Sequence, residues 1–252
     1  MIILFGIIFI FGAIIGSFLN VCIYRIPREE SIVYPPSSCT TCKNVIKGYD
    51  LVPIISYLFL KGKCRYCGEK VSIRYPIIEF TTGILFVITF IKFGISLDFA
   101  KYIVLISLLV VVSMIDLDTT DVYFSTTLTG IISSAIFLGI YLYMDIPIGS
   151  YIYGGVIGGG LLSLIILITK GGMGWGDAEI CLVCGLFLGL KLTIIMLFLS
   201  FIIGSVIGLL LILSGKKSKK DYIPFGPFIA IAAIVTIFVG ERIWVLYTSL
   251  IF

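Results

Sequence analysis

Long apolar runs, separated by short polar breaks, set the pattern of this chain. Runs close to the roughly 20 residues a helix needs to cross a bilayer fall at about 1–20, 77–97, 99–115, 125–144, 149–169, 178–191, 193–213 and 225–250. The 178–191 run is short for a span, which implies a tilted helix or one packed inside a bundle. Eight crossings place both termini on one side. One stretch, 21–76, is long and polar enough to form a small domain outside lipid. Its inner apolar piece, LVPIISYLFL at 51–60, contains a proline and cannot span. It is expected to cover that domain's own core or to lie on the membrane surface.

Composition sharpens the reading. Of 252 residues, 60% are hydrophobic and 13% charged, with a mean hydropathy of +1.19. A soluble exterior needs far more charge, so lipid is the solvent for most of the chain. Residues 1–19 lack a basic leading region, and no small-residue cleavage pattern follows, so they read as a retained first span. There is no histidine, which excludes Ser-His and Cys-His catalysis and imidazole metal ligation.

The basic residues orient the spans. Nine lie in 21–76 (Arg25, Arg28, Lys43, Lys47, Lys61, Lys63, Arg65, Lys70, Arg74), and Lys170, Lys216, Lys217, Lys219 and Lys220 fall on the same side. That is fourteen of eighteen, against Lys92, Lys101, Lys191 and Arg242 at the other edge. The 21–76 segment is therefore expected in the cytosol and both termini outside. The lysine run reads as a solvated loop attracted to anionic lipid.

Within 21–76, Cys39-Thr-Thr-Cys42 and Cys64-Arg-Tyr-Cys67 form two C-x2-C knuckles, 21 residues apart. Paired tight turns of this kind present four sulfurs to a tetrahedral zinc ion. Gly68 follows the second knuckle, where a turn often needs positive φ. Two disulfides are the alternative, disfavoured in a reducing compartment. With four protein ligands the metal would be structural, letting a small segment fold without a large core. Cys181 and Cys184, in an apolar run, read as packing residues, and Cys22 ends the first span.

Acids are scarce. Asp116, Asp118 and Asp121 follow the run VLISLLVVVSMI, and Asp177 and Glu179 sit in GGMGWGDAEI. Under eight spans both clusters emerge on the cytosolic side and can meet. Gly171, Gly172, Gly174 and Gly176 leave the backbone beside Asp177 free for positive φ and close approach. At about 4 Å and an effective dielectric of about 20, two carboxylates repel by roughly 4 kcal/mol, so they hold one proton between them. Such a pair is the aspartic-protease device. Asp118 reads as a supporting or solvated acid, as do Asp121 and Glu179. Glu79, just inside the second span, is expected to form a structural ion pair with a partner such as Arg74 or one on another span.

GSFLNVCIYRIP (16–27), the two knuckles, DLVPIISYLFLKGKCRYC (50–67), RYPIIE (74–79), IDLDT (115–119), GMGWGDAE (172–179) and IPFGPFIA (223–230) together resemble the type IV prepilin peptidases. The resemblance implies an all-α polytopic membrane protein of about eight spans, with a zinc-ribbon-like cytosolic domain between spans one and two. Its segments are a first span at 1–20, a four-cysteine zinc-binding domain at 21–76 and a transmembrane aspartic peptidase domain at 77–252. It implies cleavage of the basic leader from prepilins and pseudopilins at the cytosolic face of a bacterial inner membrane, with Asp116 and Asp177 as the catalytic pair. Gly174 and Gly176, as supporting residues, are the glycines of its G-x-G-D motif, which Asp177 closes. Many full-length members also methylate the new N-terminal residue with S-adenosylmethionine, although no motif here marks a binding site for it.

The chain departs from that pattern at Tyr123-Phe124, where the family has proline followed by Asp or Asn, and at Glu179, where lysine is common. No nucleic-acid partner is expected. A presenilin-like intramembrane protease shares the G-x-G-D idea but lacks the thiolate domain. An ion-coupled transporter would place its carboxylates at mid-bilayer.

Overall fold

The computed structural model describes residues 1–218 and 221–251. Nine α-helices succeed one another there: α1 (Ile2–Arg25), α2 (Ile55–Phe59), α3 (Arg74–Phe93), α4 (Leu97–Thr119), α5 (Phe124–Tyr143), α6 (Gly149–Ile168), α7 (Trp175–Leu188), α8 (Leu190–Leu213) and α9 (Gly226–Ile251). Among the described residues, pairing between extended segments is limited to two isolated bridges, Ser38 with Val45 and Lys63 with Lys70.

Seven helices, all except α2 and α7, are long and apolar enough to cross a membrane. In the first, only 22% of the most apolar window is buried inside the protein, so the rest of that surface is left for lipid. The eighth expected span is α7. Its 14 residues reach about 21 Å at 1.5 Å per residue, short of a hydrocarbon core of about 30 Å. It is packed inside the bundle, as its short run implies: nine of its residues are buried, among them Cys181 and Cys184, both 0% exposed. Those two cysteines are packing residues, as their apolar setting predicts.

Two helices run further than the hydropathy suggests. α1 continues to Arg25, and α4 continues to Thr119. Asp116 and Asp118 therefore do not follow a span. They lie on the last turns of one.

The chain packs as two compact units, Met1–Val111 and Val112–Phe252, divided within α4. In the first unit α1 lies against α3 at small-residue contacts. A Cβ on Gly12 would sit 2.9 Å from the Gly83 Cα, and one on Gly16 2.8 Å from the Glu79 Cα. Edge-on ring pairs, Phe5 with Phe90 and Phe9 with Phe80, fill the space beside them. The 51–60 stretch forms a short turn of helix with Leu58 68% and Phe59 82% exposed. It leaves an apolar face uncovered, so it does not seal a domain core.

In the second unit α6 crosses α7 almost backbone to backbone. A Cβ on Gly158 would fall 2.4 Å from the Cys181 carbonyl oxygen, and one on Gly185 would fall 2.2 Å from that of Gly154. Lipid gives helices no hydrophobic reason to associate, so van der Waals contact between bare backbones is what holds this pair. Lys216 and Lys217, after α8, are exposed. Lys219 and Lys220 of the same predicted run lie outside the described residues.

The α6–α7 crossing predicts a contrast within one helix. Gly158→Ala must push α7 aside and should cost about 1–3 kcal/mol, read as a lower unfolding midpoint in detergent. Gly160→Ala, which meets nothing within 4 Å, should leave the midpoint unchanged.

Candidate active site and metal centre

Two carboxylates are buried in the second unit. Asp116 is 2% exposed on the final turns of α4, and Asp177 is 3% exposed in the first turn of α7. Each sits at a helix end, which spares it the middle of the bilayer. Consecutive helical residues are 100° apart, so Asp118, two positions on, points away from Asp116 and is exposed.

A third helix end fixes Asp116. The Gly226 N–H, first in α9, donates to Asp116 Oδ2 at 2.9 Å. That amide is one of the unsatisfied donors at a helix N-terminus, where a negative charge is also favoured by the peptide dipoles. The contact requires glycine, since a Cβ at 226 would meet the same oxygen at 2.6 Å. Pro227 costs nothing at its position in the first turn, where no intrahelical N–H bond is lost.

Asp177 is placed by the glycine-rich segment. Gly174 is the N-cap of α7 and its carbonyl accepts the Asp177 N–H at 3.1 Å. Gly176 lets this turn lie against the loop after α4: a Cβ there would come within 2.4 Å of the Val122 Cβ. Gly174 takes an ordinary extended conformation, and of the four glycines only Gly171 has positive φ, at 92°. Close approach is therefore the need at Gly176, and conformational freedom the need at Gly171. Asp177 Oδ2 is buried and has no hydrogen-bond partner among the described residues.

The two acids share one neighbourhood. The charge of Asp116 acts on Asp177, and that of Asp121 acts on Asp116. The phenol of Tyr222, in the loop before α9, is pushed above its usual range by burial and then by Asp177, Asp116 and Asp121. Glu179 faces another way: its Oε2 accepts the Thr127 hydroxyl at 2.8 Å, tying α7 to α5.

The first unit holds the four cysteines. Both knuckles are built alike. The Cys39 N–H donates to the Asn44 carbonyl and the Lys43 N–H to the Cys39 carbonyl, each at 3.0 Å. The Cys64 N–H donates to the Glu69 carbonyl at 2.8 Å and the Gly68 N–H to the Cys64 carbonyl at 3.0 Å. Lys43 and Gly68 occupy the same position in the two turns with φ of 58° and 73°, so the positive φ expected at Gly68 recurs at a lysine.

All seven cysteines are free. The sulfurs of Cys39, Cys42, Cys64 and Cys67 lie within 4.8 Å of one another, and those of Cys39 and Cys67 are 3.8 Å apart. Sulfurs each about 2.3 Å from one tetrahedral ion stand about 3.8 Å apart, so these residues fit a metal. Backbone hydrogen bonds at Cys42 and Thr41 pull the Cys39 thiol down to about 6. A backbone hydrogen bond at Glu69 favours the Cys67 thiolate, yet burial and the other three sulfurs outweigh it and push that thiol up to about 12. Four sulfurs this close cannot all carry charge without a cation. The Arg65 guanidinium beside the second knuckle pairs with both Asp50 oxygens, at 2.6 and 2.8 Å, and holds that carboxyl below its usual range.

Comparison with known proteins decides the family. Residues 10–93 match the bacterial peptidase A24 N-terminal domain, and residues 103–209 match the type IV leader peptidase family. The chain belongs to the type IV leader peptidase family. It is 36% identical to the prepilin leader peptidase/N-methyltransferase of Bacillus subtilis (strain 168), over 97% of this chain and 98% of that one. The proteins of the same name from Neisseria gonorrhoeae and Aeromonas salmonicida (strain A449) are 30% and 31% identical, over 93% and 98% of this chain and 90% and 95% of theirs. No solved structure gives a significant match. Membership makes this a multi-pass membrane protein of the leader-peptidase type and removes the transporter reading.

Sequence reasoning passed over Gly226, Val122 and Tyr222 as site residues. The string IPFGPF before an apolar run does mark a helix start, but nothing in it tells which carboxylate that helix end will meet. Glu79 was expected to have a partner. Its Oε2 accepts the Ile54 N–H at 2.7 Å, and the Ser17 hydroxyl also bonds to it.

Replacing Cys39 and Cys42 together by serine should drop bound metal from one ion per chain to none and open segment 26–73 to limited proteolysis. Elemental analysis and a digest of the purified protein read both.

Proposed function

We propose that this chain is a membrane aspartic endopeptidase that removes the leader from type IV prepilins and pseudopilins and methylates the new N-terminal residue. The observation that carries the peptidase half is the buried pair Asp116 and Asp177, coupled electrically and drawn from two helix ends remote in sequence. Asp116 and Asp177 act as the catalytic acids. The ionised member takes a proton from water as that water attacks the scissile carbonyl, while the protonated member polarises the carbonyl oxygen and then protonates the leaving amine. Asp116 Oδ2 already accepts an amide hydrogen at a helix N-terminus, which suits it to carry the charge. Asp177 Oδ2 is buried without a partner, which suits it to hold the shared proton and present it to substrate. Gly176 and Gly226 are positioning residues, setting how closely the three helix ends meet.

Cys39, Cys42, Cys64 and Cys67 hold a structural zinc ion in this reading. The closed set of four thiolates leaves no position for catalysis, and zinc's place is to fold the 21–76 domain. Residues 77–252 form the peptidase domain. The excess of lysine and arginine in 21–76 and after Lys170 supports a cytosolic site and external termini. The methyl donor, S-adenosylmethionine, is supported by the name the relatives carry.

Asp116→Asn and Asp177→Asn should each lower leader cleavage by at least about a hundredfold, in a mobility assay with co-expressed prepilin, while inserting normally. Either variant processing at the wild-type rate would end its assigned role. Gly226→Ala, which forces Asp116 off its amide, should slow cleavage without changing the metal content of the protein.

A further inference from the structure

One segment of the second unit reaches both acids. Residues 222–226 lead into α9, and while the Gly226 N–H holds Asp116, the Tyr222 phenol four residues earlier stands beside Asp177. The segment is pinned on both sides of that tyrosine's ring. Phe225 packs against Phe201 of α8, with ring centroids 5.5 Å apart, and lies edge-on to Phe228 at 6.0 Å. Lys217 donates to the Tyr222 carbonyl at 3.3 Å. The backbone therefore places the ring, which is still 49% exposed and so open to an incoming chain.

Between the phenol and the carboxyl lies a space that Gly174 leaves open. A Cβ at 174 would stand 3.5 Å from Tyr222 Oη and 3.6 Å from Asp177 Oδ2, and these are the two contacts it would make among the described residues. The other glycine of the motif has a different task, since a Cβ on Gly176 would strike Val122 at 2.4 Å. Gly174 is neither crowded nor strained: its φ of −74° and ψ of 142° suit any residue. What its missing side chain supplies is room for one atom between two oxygens. Asp177 Oδ2, buried and without a hydrogen-bond partner among the described residues, borders that room.

An O–H···O hydrogen bond spans about 2.5–3.0 Å, and catalytic contacts commonly tighten when substrate arrives. An oxygen placed over Gly174 can then accept from both neighbours. The phenol stays a neutral donor, because burial and the charges of Asp177, Asp116 and Asp121 oppose its ionisation.

We propose that Tyr222 is a further catalytic residue, whose hydroxyl joins Asp177 Oδ2 in holding the oxygen of the scissile carbonyl above Gly174. The proposal rests on the peptidase half of the function above. The water oxygen bonds to the carbonyl carbon, one water proton passes to Asp116, and the C=O pair moves onto the oxygen between the two donors. When the C–N bond breaks, that pair re-forms the C=O, and the amine keeps the bonding electrons and takes the proton of Asp177. Tyr222 retains its proton throughout. Donors fixed where charge develops act on the transition state more than on substrate affinity.

Steady-state cleavage of prepilin by the full-length protein in detergent tests the role. Tyr222→Phe keeps the ring and should lower kcat by about tenfold to a hundredfold, with KM unchanged within about twofold. A difluoroketone analogue of the cleavage site, whose hydrate copies the tetrahedral intermediate, should lose affinity for this variant by the same factor as kcat/KM. A tyrosine that only anchors the loop at the interface would give no such match. Gly174→Ala puts a methyl group into the space and should lower cleavage by about tenfold or more, with the protein still folded and its metal content unchanged. Wild-type cleavage by either variant, a loss confined to KM, or unchanged affinity for the analogue overturns the role of Tyr222. With Asp177→Asn inactive, each of those results leaves the peptidase reading standing. A wild type that does not remove the leader overturns both.

Discussion

Two carboxylates held together out of water are the constraint on which the second unit is built. A lone buried charge in or near lipid is costly, and two of like sign are worse. The structure meets this by drawing three helix ends together. The last turns of α4 bring Asp116, the first turn of α7 brings Asp177, and the first amide of α9 meets the Asp116 oxygen. Where the approach is tightest, at Gly226 and Gly176, there is no side chain. The absence of a side chain at these two positions is what lets the helix ends approach.

The same reasoning explains why α7 is short. A helix that must start at the buried acid pair and remain inside the bundle gains nothing from a lipid-facing length. Its burial comes from α6, whose glycines let the two backbones touch, and Cys181 and Cys184 complete the contact as small apolar side chains. Packing in lipid favours such surfaces because shape is the main resource left when the hydrophobic effect is absent. Thr127 reaching Glu179 then supplies a polar tie between α5 and α7.

The first unit solves a different problem. Its loops are too polar and too few to make a core, so their stability is drawn from elsewhere. The four sulfurs form one anchor. Arg25, Asn20 and Glu79 form another, each rooted in a membrane helix and bonded to backbone. The Asp50–Arg65 pair joins the turn at Gly48–Leu51 to the second knuckle. Between the anchors an open volume remains.

Much of this was legible in the residues alone. Hydropathy located the helices, because any segment that crosses lipid must satisfy its backbone within itself. Cysteine spacing announced the four-sulfur cluster, because a C-x2-C turn fixes where two sulfurs point. Local chemistry of that kind depends on neighbours in the chain. The glycines at 174 and 176 flagged Asp177 in the same way, and IDLDT flagged Asp116. What the chain could not disclose was which contacts those residues would make. Whether Asp116 or Asp118 faces inward depends on α4 running past residue 115, and Gly226 becomes part of the site only because α9 begins beside it. The walls raised by Arg25 and Glu79, and the cavity inside them, likewise join positions far apart in sequence. Helix identity was determined by residues a few places apart, whereas the meeting of helix ends was decided by packing across the whole unit.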